Sequence, residues 1–296
     1  MKAELKLGGQ VFRVDLSEGK SIARIISVAA TKSTLDIGAI AVQSKTYRDG
    51  DFVGDMLAGG ACNVSVLKIN PHCCGTHTET LMHVMPDEAA TARPTIDSVV
   101  PAGLQLSLVL TLKTCSLPEA RACDESFTEH AHADDRLVSA AAIRSAIASA
   151  AQSLPSGYAA WESTKKESLG KSLVVRIAED DPATANSPWS FESEVSPYFT
   201  SDAIDVLNDL SVTHLLVEFP SVDRLDDGGR LTNHHKFWNF DQESRNLAEA
   251  WPSKTITEMI EISPSIKDGL YLLSIQVPPI RTDAMLSRPV LFELFE

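Results

Sequence analysis

The sequence Asn-Pro-His-Cys-Cys-Gly-Thr-His-Thr-Glu-Thr-Leu-Met-His occupies residues 70–83 and concentrates groups that bind metal ions. Three of the eight histidines of the 296-residue chain fall here, as His72, His77 and His83, and Glu79 lies between the last two. Imidazole nitrogens and a carboxylate oxygen suit Zn²⁺ or Mn²⁺ better than a soft metal ion. Hydrogen-bonded surface or core histidines are the alternative, and they account less well for such clustering. The stretch therefore predicts a metal site.

The spacing of these residues sets conditions on the backbone. Side chains of a strand repeat every second residue, so an extended segment would place His77 and Glu79 on one face. His83 would then lie about 20 Å further along, at about 3.3 Å per residue. We therefore expect residues 81–85 to bend back if His83 shares the site. Gly75 would let the backbone approach an ion closely.

These residues resemble the metal-binding signature of the cyclase family of metal-dependent hydrolases, which includes bacterial kynurenine formamidase and isatin hydrolase. The family pattern is His-x-Gly-Thr-His-x-Asp-x-Pro-x-His, and here the Gly-Thr-His core, the acid two residues on and the histidine six residues on all match. Three positions differ. His72 lies five residues before His77 instead of four, the acid is Glu79 instead of Asp, and Leu81 replaces Pro. The resemblance indicates a divergent branch of the family.

The resemblance continues in the second half of the chain. Residues 217–223 (Val-Glu-Phe-Pro-Ser-Val-Asp) resemble a family strand that ends in an acidic segment, and residues 231–238 contain its second-half histidine. Residues 255–260 (Thr-Ile-Thr-Glu-Met-Ile) resemble the strand that carries the late glutamate beside the metal. Residues 268–271 and 278–290 resemble the closing strand and tail.

The resemblance implies a role for each of these side chains. The implied metal ligands are His72, His77, Glu79, His235 and Glu258, and the implied acid/base is His83. His234 is the alternative to His235, which is favoured because a basic residue and two large apolar residues follow it directly. One or two divalent ions would bind, with Zn²⁺ favoured and Mn²⁺ as the alternative. Such an ion would activate water and polarise a carbonyl, while His83 moves the proton to the leaving amine.

The implied activity is hydrolysis of an amide, such as a formamide or lactam, or of a lactone, in the manner of an arylformamidase. The implied partners are a small-molecule substrate and a second copy of the chain, in a homodimer or a higher homo-oligomer. A metal-assisted dehydratase or cyclase is the first alternative function. The second is a non-catalytic binding protein on a cyclase scaffold. Phe52 and Trp238 are candidate pocket residues, although large side chains are equally common in cores.

Two other catalytic interpretations compete with the metal site. Glu129, His130, His132 and the acids at 134–135 form a second cluster, which more plausibly lies in a polar loop before a helix. Cys73 or Cys74 could act as a thiolate beside the histidines, but this interpretation leaves Glu79 unexplained. The chain has no Gly-x-Ser-x-Gly elbow, P-loop or Gly-x-Gly-x-x-Gly motif, so serine hydrolases and nucleotide cofactors are disfavoured.

The pattern of apolar residues predicts a layered domain. Expected strands cover residues 62–70, 104–112, 172–177, 213–219, 255–262 and 270–277. Expected helices cover residues 139–154, capped by Ser139 or Asp135, and 201–210, capped by Thr200 or Ser201. We expect one α/β (α+β) domain over residues 1–296, with insertions near 118–135 and 179–197. The resemblance implies a swivelling β/β/α type with a mixed-sheet or barrel-like core.

Composition excludes several classes of partner. With 40 acidic and 26 basic residues the net charge is −14, which disfavours nucleic acid and acidic membranes because like charges repel. The N-terminal residues alternate charged and apolar types, unlike a signal peptide, and no apolar run is long enough to span a bilayer. Five cysteines without a CxxC pair argue against a disulfide framework. We expect a cytoplasmic protein.

Overall fold

A computed structural model describes residues 1–7, 9–26, 28, 42–86, 93–123, 126, 131–163, 171–178, 196–241 and 243–295. The strands are β1 Lys2–Leu7, β2 Gln10–Asp15, β3 Lys20–Ser21, β4 Gln43–Thr46, β5 Arg48–Asp49, β6 Phe52–Val53, β7 Ser65–Lys68, β8 His77–Thr80, β9 Gln105–Leu112, β10 Cys115–Ser116, β11 Arg136–Val138, β12 Lys171–Ile177, β13 Tyr198–Phe199, β14 His214–Val217, β15 Thr255–Glu258, β16 Gly269–Gln276, β17 Ala284–Leu286 and β18 Arg288–Phe295. The helices are α1 Pro71–Cys74, α2 Ile96–Val99, α3 Leu117–Ala122, α4 Ala140–Ser153, α5 Pro155–Glu162, α6 Ser201–Asp209 and α7 Thr232–Phe237. Short 3₁₀ helices cover Met56–Ala58 and Leu81–Val84.

One large mixed sheet organises the fold. Its strand order is β1-β2-β18-β16-β9-β12-β14-β15-β8-β17, with β3 paired to β18. The central strands β9, β12, β14 and β15 are parallel, while β8 and β17 extend one side and β16 and β18 the other in antiparallel fashion. The predicted α/β class with a mixed sheet is confirmed. Among the described strands the order is an open path, so the sheet does not close into a barrel.

Apolar residues cover both faces of the parallel strands. In β9, Leu106, Leu108 and Leu110 are buried in the larger core cluster, which includes residues of α4 and α6. Val109 is buried in a second cluster with Val174 and Leu216. Sheets with helices on one face and further structure on the other need apolar side chains at successive positions. Each fully buried leucine contributes roughly 1.5–3 kcal/mol.

Helix starts follow the expected capping chemistry. The Ser139 side chain accepts a hydrogen bond from the Ala142 amide at the start of α4, and Thr200 does the same for α6. Asp135 does not cap α4. Instead the hydroxyl of Tyr198 donates to its carboxylate at 2.6 Å, and Arg224 lies 3.2 Å from it.

Several expected elements are shorter than the sequence pattern suggested, or lie apart from the main sheet. The strand expected at 62–70 is the shorter β7, which pairs with β4 in a separate, exposed two-stranded sheet. The expected insertion near 118–135 begins with α3, and residues 179–195 of the other lie outside the described residues. Within the described chain, no helix combines the length and apolar character needed to cross a bilayer.

The buried histidine of β14 should make stability depend on pH. His214 contacts Thr255 Oγ1 at 2.8 Å, and burial lowers its pKa from 6.5 to about 3. The unfolded chain therefore binds the extra proton first, so stability is lost as pH falls from about 6.5 towards 3, by up to about 1.4 kcal/mol per pH unit. Urea unfolding at pH 7 and pH 5 should show a smaller loss for His214→Gln than for the wild type. The exposed His132→Gln is the control, and equal losses in all three proteins would contradict the prediction.

Candidate metal centre

Two adjacent strands supply the floor of the centre. His77 and Glu79 alternate along β8 and face the same side, as the spacing predicts, and β15 pairs with β8 so that Glu258 lies opposite His77. All three side chains are buried, with exposures of 0%, 0% and 4%. The sheet therefore holds two carboxylates and an imidazole together away from water.

Short helical segments bring in the remaining histidines. Asn70 caps α1 through a hydrogen bond from the His72 amide, and Pro71 starts the helix. After β8, Thr80 caps the 3₁₀ helix that contains His83, so the chain bends as the spacing requires. The fourth histidine is His234, on α7, where its side chain is buried.

One ring nitrogen of each of three histidines points to the two glutamates. His72 Nδ1 lies 3.3 Å from Glu79 Oε2, and His77 Nε2 lies 3.6 Å from Glu258 Oε2. His234 Nε2 lies 2.8 Å from Glu79 Oε1 and 3.6 Å from Glu258 Oε1. Ligand atoms of His72, His77 and Glu79 lie within 4.8 Å of one another, as do those of Glu79, His83 and His234.

The other nitrogen of each ring has an acceptor outside the cluster. His77 Nδ1 lies 3.1 Å from the Gly75 carbonyl, and His234 Nδ1 lies 2.7 Å from Asp223 Oδ2. His72 Nε2 lies 2.9 Å from Asp283 Oδ2. Metal-binding histidines commonly use such acceptors to set the tautomer and orient the ring. In each of these three rings, one nitrogen faces the glutamates and the other contacts an orienting acceptor.

Several atoms that face the interior of the cluster have no hydrogen-bond partner of acceptable geometry among the described residues. They are His77 Nε2, His234 Nε2 and both carboxylate oxygens of Glu79. An unpaired buried polar atom costs about 1–3 kcal/mol, and more when it is charged. A divalent cation among these atoms would satisfy all of them, and imidazole with carboxylate is a donor set typical of such ions. The residues present therefore fit a metal.

Burial and neighbouring charges shift the pKa values of Glu79, His77 and His72. Burial would raise the pKa of Glu79, but the nearby charges of His83 and His234 hold it well below its usual value. Burial lowers the pKa of His77. Burial also opposes protonation of His72, yet Asp283 and Glu79 raise its pKa to about 10. A cation would replace these protons, so metal uptake at this centre should release protons.

Comparison with known families identifies the chain. The Cyclase family model matches residues 26–224, more than half of the sequence. This chain belongs to the cyclase family. The matched range contains His72, His77, Glu79, His83 and Asp223, and it ends before His234 and Glu258. No curated protein matches the sequence significantly.

Solved structures share the fold of this cyclase-family protein over nearly its whole length. An isatin hydrolase bound to the product analogue thioisatinate is 14% identical, with a TM-score of 0.55, and the match covers 93% of this chain and 92% of that one. Isatin hydrolase A from Ralstonia solanacearum is 11% identical, with a TM-score of 0.53 and coverages of 93% and 91%. A predicted metal-dependent hydrolase from Bacillus stearothermophilus is 14% identical, with a TM-score of 0.50 and coverages of 93% and 98%. At such identities the likeness establishes the fold.

Of the two adjacent histidines of α7, the structure places His234, and not the favoured His235, beside the glutamates. His235 lies outside the cluster: its Nδ1 is 2.9 Å from the Phe240 carbonyl, and its ring stacks on Phe240. Successive residues of a helix point about 100° apart, so only one of the pair can face the glutamates. His234 shares the buried face with Asn233 and Phe237. Phe237, three positions after His234, is the one local feature that indicates which histidine faces the core. The residues that follow His235 favour the other choice.

The other five candidate ligands and acid/base residues lie in the cluster, together with two carboxylates that the sequence does not indicate. His72, His77, Glu79, His83 and Glu258 lie together, as expected. Asp223 and Asp283 were not assigned a role, because nothing local marks a carboxylate that contacts a histidine 11 or 211 residues away.

The two candidate pocket residues lie in different surroundings. Trp238 is fully buried behind His234, with ring centroids 5.8 Å apart, and its indole nitrogen donates to the Lys254 carbonyl at 3.0 Å. Phe52 is exposed and packs on Tyr47, with ring centroids 6.0 Å apart. Trp238 therefore packs in the core and does not line an open pocket.

The structure disfavours the thiolate interpretation and describes only part of the second cluster. Burial raises the pKa of the Cys73 thiol, the opposite of what a thiolate nucleophile needs. His132 is exposed, while Glu129 and His130 lie outside the described residues.

Adjacent variants on α7 test which of the two histidines binds the metal. We expect His234→Ala to lose most of its bound metal, because His234 Nε2 lies between the two glutamates, and His235→Ala to keep it. The measurement is elemental analysis of the purified proteins after dialysis against metal-free buffer. The reverse pattern would restore His235 as the ligand, and a wild type without stoichiometric metal would contradict the metal centre itself.

Proposed function

We propose that this cyclase-family protein is a metal-dependent hydrolase that cleaves an amide, such as a formamide or lactam, or a lactone. One observation carries the proposal. Three histidines have their outer nitrogens tied to acceptors and their inner nitrogens directed at Glu79 and Glu258. A fourth, His83, lies beside them and makes no side-chain hydrogen bond with the described residues. This arrangement separates groups that can hold an ion from one that can move a proton.

The deep side of the cluster would hold the ion. The proposed ligands are His72 through Nδ1, His77 and His234 through Nε2, and the carboxylates of Glu79 and Glu258. We favour one or two Zn²⁺ ions, with Mn²⁺ as the alternative, because both accept this mixture of nitrogen and oxygen donors. A bound ion of this type lowers the pKa of water and polarises a carbonyl group.

His83 is the proposed acid/base. Its Nε2 lies 3.8 Å from Glu79 and its Nδ1 lies 3.8 Å from Asp283, so neither nitrogen makes a hydrogen bond with them. Its side chain is 23% exposed, compared with 2% for His234, which places it on the open side of the cluster. His83 would accept a proton from the attacking water and donate it to the leaving amine or alcohol as the bond between that group and the carbonyl carbon breaks.

The substrate class rests on the chemistry of the centre and on the structural neighbours. The substrate would approach from the open side, formed by His72, His83 and Asp283, which are all partly exposed. Isatin, the substrate named for two of the similar structures, is a cyclic amide, which supports a lactam or formamide for this chain. The acidic chain, with its net charge of −14, would disfavour nucleic acid as a partner.

Removal of the proposed acid/base should separate turnover from metal binding. We expect His83→Gln to retain stoichiometric metal but to lose about 10²–10⁴-fold in kcat, because proton transfer typically contributes that much. A panel of N-formyl arylamines, isatin and aryl lactones would be assayed in ¹⁸O-labelled water, with the exposed His132→Gln as the matched control. Solvent oxygen in the product supports hydrolysis.

Other results of this panel would contradict the proposal. A product without solvent oxygen would indicate a dehydratase or cyclase. Stoichiometric metal without turnover on any of the substrates would favour a binding protein. Full activity of His83→Gln would remove His83 from the mechanism.

A second copy of the chain is the proposed macromolecular partner. Residues 43–69, which we call the arm, contain eight of the fifteen exposed large apolar side chains of the described residues. They are Tyr47, Phe52, Met56, Leu57, Val64, Val66, Leu67 and Ile69. The arm carries equal numbers of basic and acidic residues, in contrast to the acidic chain as a whole, so it can approach another acidic copy without repulsion. It leads directly into α1 and His72.

Polar substitutions on the arm should weaken the dimer. We expect Met56→Ser combined with Leu57→Ser to shift the protein from dimer to monomer in light scattering after size-exclusion chromatography, since both side chains are exposed, at 60% and 101%. Val11→Ser, which alters an exposed apolar residue outside the arm, should leave the dimer intact. A monomeric wild type, or equal effects of both changes, would contradict this prediction.

A further inference from the structure

Two imidazole rings at the open side of the centre are stacked between two carboxylates. The rings of His72 and His83 lie 4.3 Å apart between centroids with an interplanar angle of 30°. Glu79 Oε2 lies at one edge of the stack, 3.3 Å from His72 and 3.8 Å from His83. Asp283 Oδ2 lies at the other edge, 2.9 Å from His72 and 3.8 Å from His83. A single oxygen of Asp283 therefore contacts one histidine and faces the other.

Asp283 is held in place independently of the histidines. The amide and the hydroxyl of Thr80 both donate to the Asp283 carbonyl, at 2.9 and 3.1 Å. The hydroxyl of Thr282 donates to Asp283 Oδ1 at 2.9 Å, which leaves Oδ2 for the histidines. The next residue, Ala284, pairs with Glu79 across β17 and β8. The carboxylate is thus fixed relative to the strand that carries His77 and Glu79.

The position of one proton on His72 decides whether it can bind an ion. A neutral imidazole has one N–H and one lone pair, and the neighbours of the ring select which nitrogen carries the proton. A proton on Nδ1 would point at Glu79 and block a metal there. A carboxylate that accepts a hydrogen bond from Nε2 keeps the proton on the opposite side and directs the Nδ1 lone pair into the cluster.

We propose that Asp283 is a positioning residue of the metal centre, which selects the metal-binding tautomer of His72 and restrains the ring of His83 stacked on it. This inference rests on the proposed metal-dependent function. The new element is Asp283, a residue from the C-terminal part of the chain. It would couple the ion-binding side of the centre to the proton-transferring side. His77 and His234 have outer acceptors of their own, so the effect of Asp283 acts through His72.

The central test is metal affinity measured without any substrate. In a competition titration with a chromophoric chelator, we expect Asp283→Asn to weaken Zn²⁺ binding about 10–100-fold, the usual cost of removing such an outer partner. Asp97→Asn is the matched control, because Asp97 is a nearby exposed carboxylate that pairs with Arg281 at 3.6 Å. It should bind Zn²⁺ like the wild type. An unchanged affinity of Asp283→Asn, or an equal loss in Asp97→Asn, would overturn the proposal.

A double-variant comparison shows through which residue Asp283 acts. If it acts through His72, Asp283→Asn should change Zn²⁺ affinity by no more than about twofold in a His72→Ala background, since the contact is already absent. A further 10-fold loss in that background would overturn the assignment.

The melting temperature of the metal-free proteins separates this role from general destabilisation. The metal-dependent increase in melting temperature should shrink in Asp283→Asn, while that of the metal-free protein stays close to the wild type.

Cobalt substitution distinguishes positioning from direct ligation, because His72, His83 and Asp283 could themselves surround an ion. With Co²⁺ as the probe, saturated Asp283→Asn should show the same stoichiometry and visible absorption intensity as the wild type. Loss of a whole equivalent of Co²⁺ would identify Asp283 as a ligand and overturn the positioning role. A wild type that binds neither Zn²⁺ nor Co²⁺ would refute the proposed function as well, whereas normal binding by both proteins would refute only this inference.

Discussion

The buried carboxylate of Glu79 is the constraint on which the centre depends. Removal of an ionised carboxylate from water costs several kcal/mol unless positive charge and hydrogen-bond donors compensate. Glu79 is fully buried, yet His83 and His234 keep its pKa well below the usual range. The imidazoles around it, and the ion that we propose among them, offset a charge that the apolar core could not tolerate. The strands and hydrogen bonds around Glu79 hold the groups that stabilise this charge.

The sheet positions these groups where its strand direction changes, between β15 and β8. β15 is the last of four parallel strands, and β8 adds to it in antiparallel fashion, which places His77 opposite Glu258. The following strand, β17, pairs Ala284 with Glu79, and a small side chain beside Glu79 leaves space on the face where the histidines converge. An antiparallel pair places directly opposite residues on the same face, so each strand contributes side chains to one site. The site therefore lies where the parallel core meets its antiparallel extension.

Different parts of the chain orient the three proposed histidine ligands. His77 uses the local Gly75 carbonyl, His234 uses Asp223 at the end of the acidic segment, and His72 uses Asp283 near the C-terminus. Asp223 also accepts hydrogen bonds from the backbone amides of Asn233 and His234, which fixes the start of α7 against it. Rings held at both ends lose little freedom when they bind an ion. Among the described residues, no acceptor lies within hydrogen-bonding distance of His83, and this difference supports the proposed division between ion binding and proton transfer.

The sequence by itself determined which chemistry to propose and most of the residues that the structure brings together at the site. Period-two spacing placed His77 and Glu79 on one face, the six-residue step to His83 required a bend, and apolar runs predicted the strands β9, β12 and β16 with small shifts at their ends. These features are local, so the backbone geometry of a few residues is enough to derive them. Only the tertiary structure decided between His234 and His235, because the direction of a short helix depends on what packs against it. It alone revealed Asp283, since a contact across 211 residues leaves no local pattern and depends on the pairing of β17 with β8.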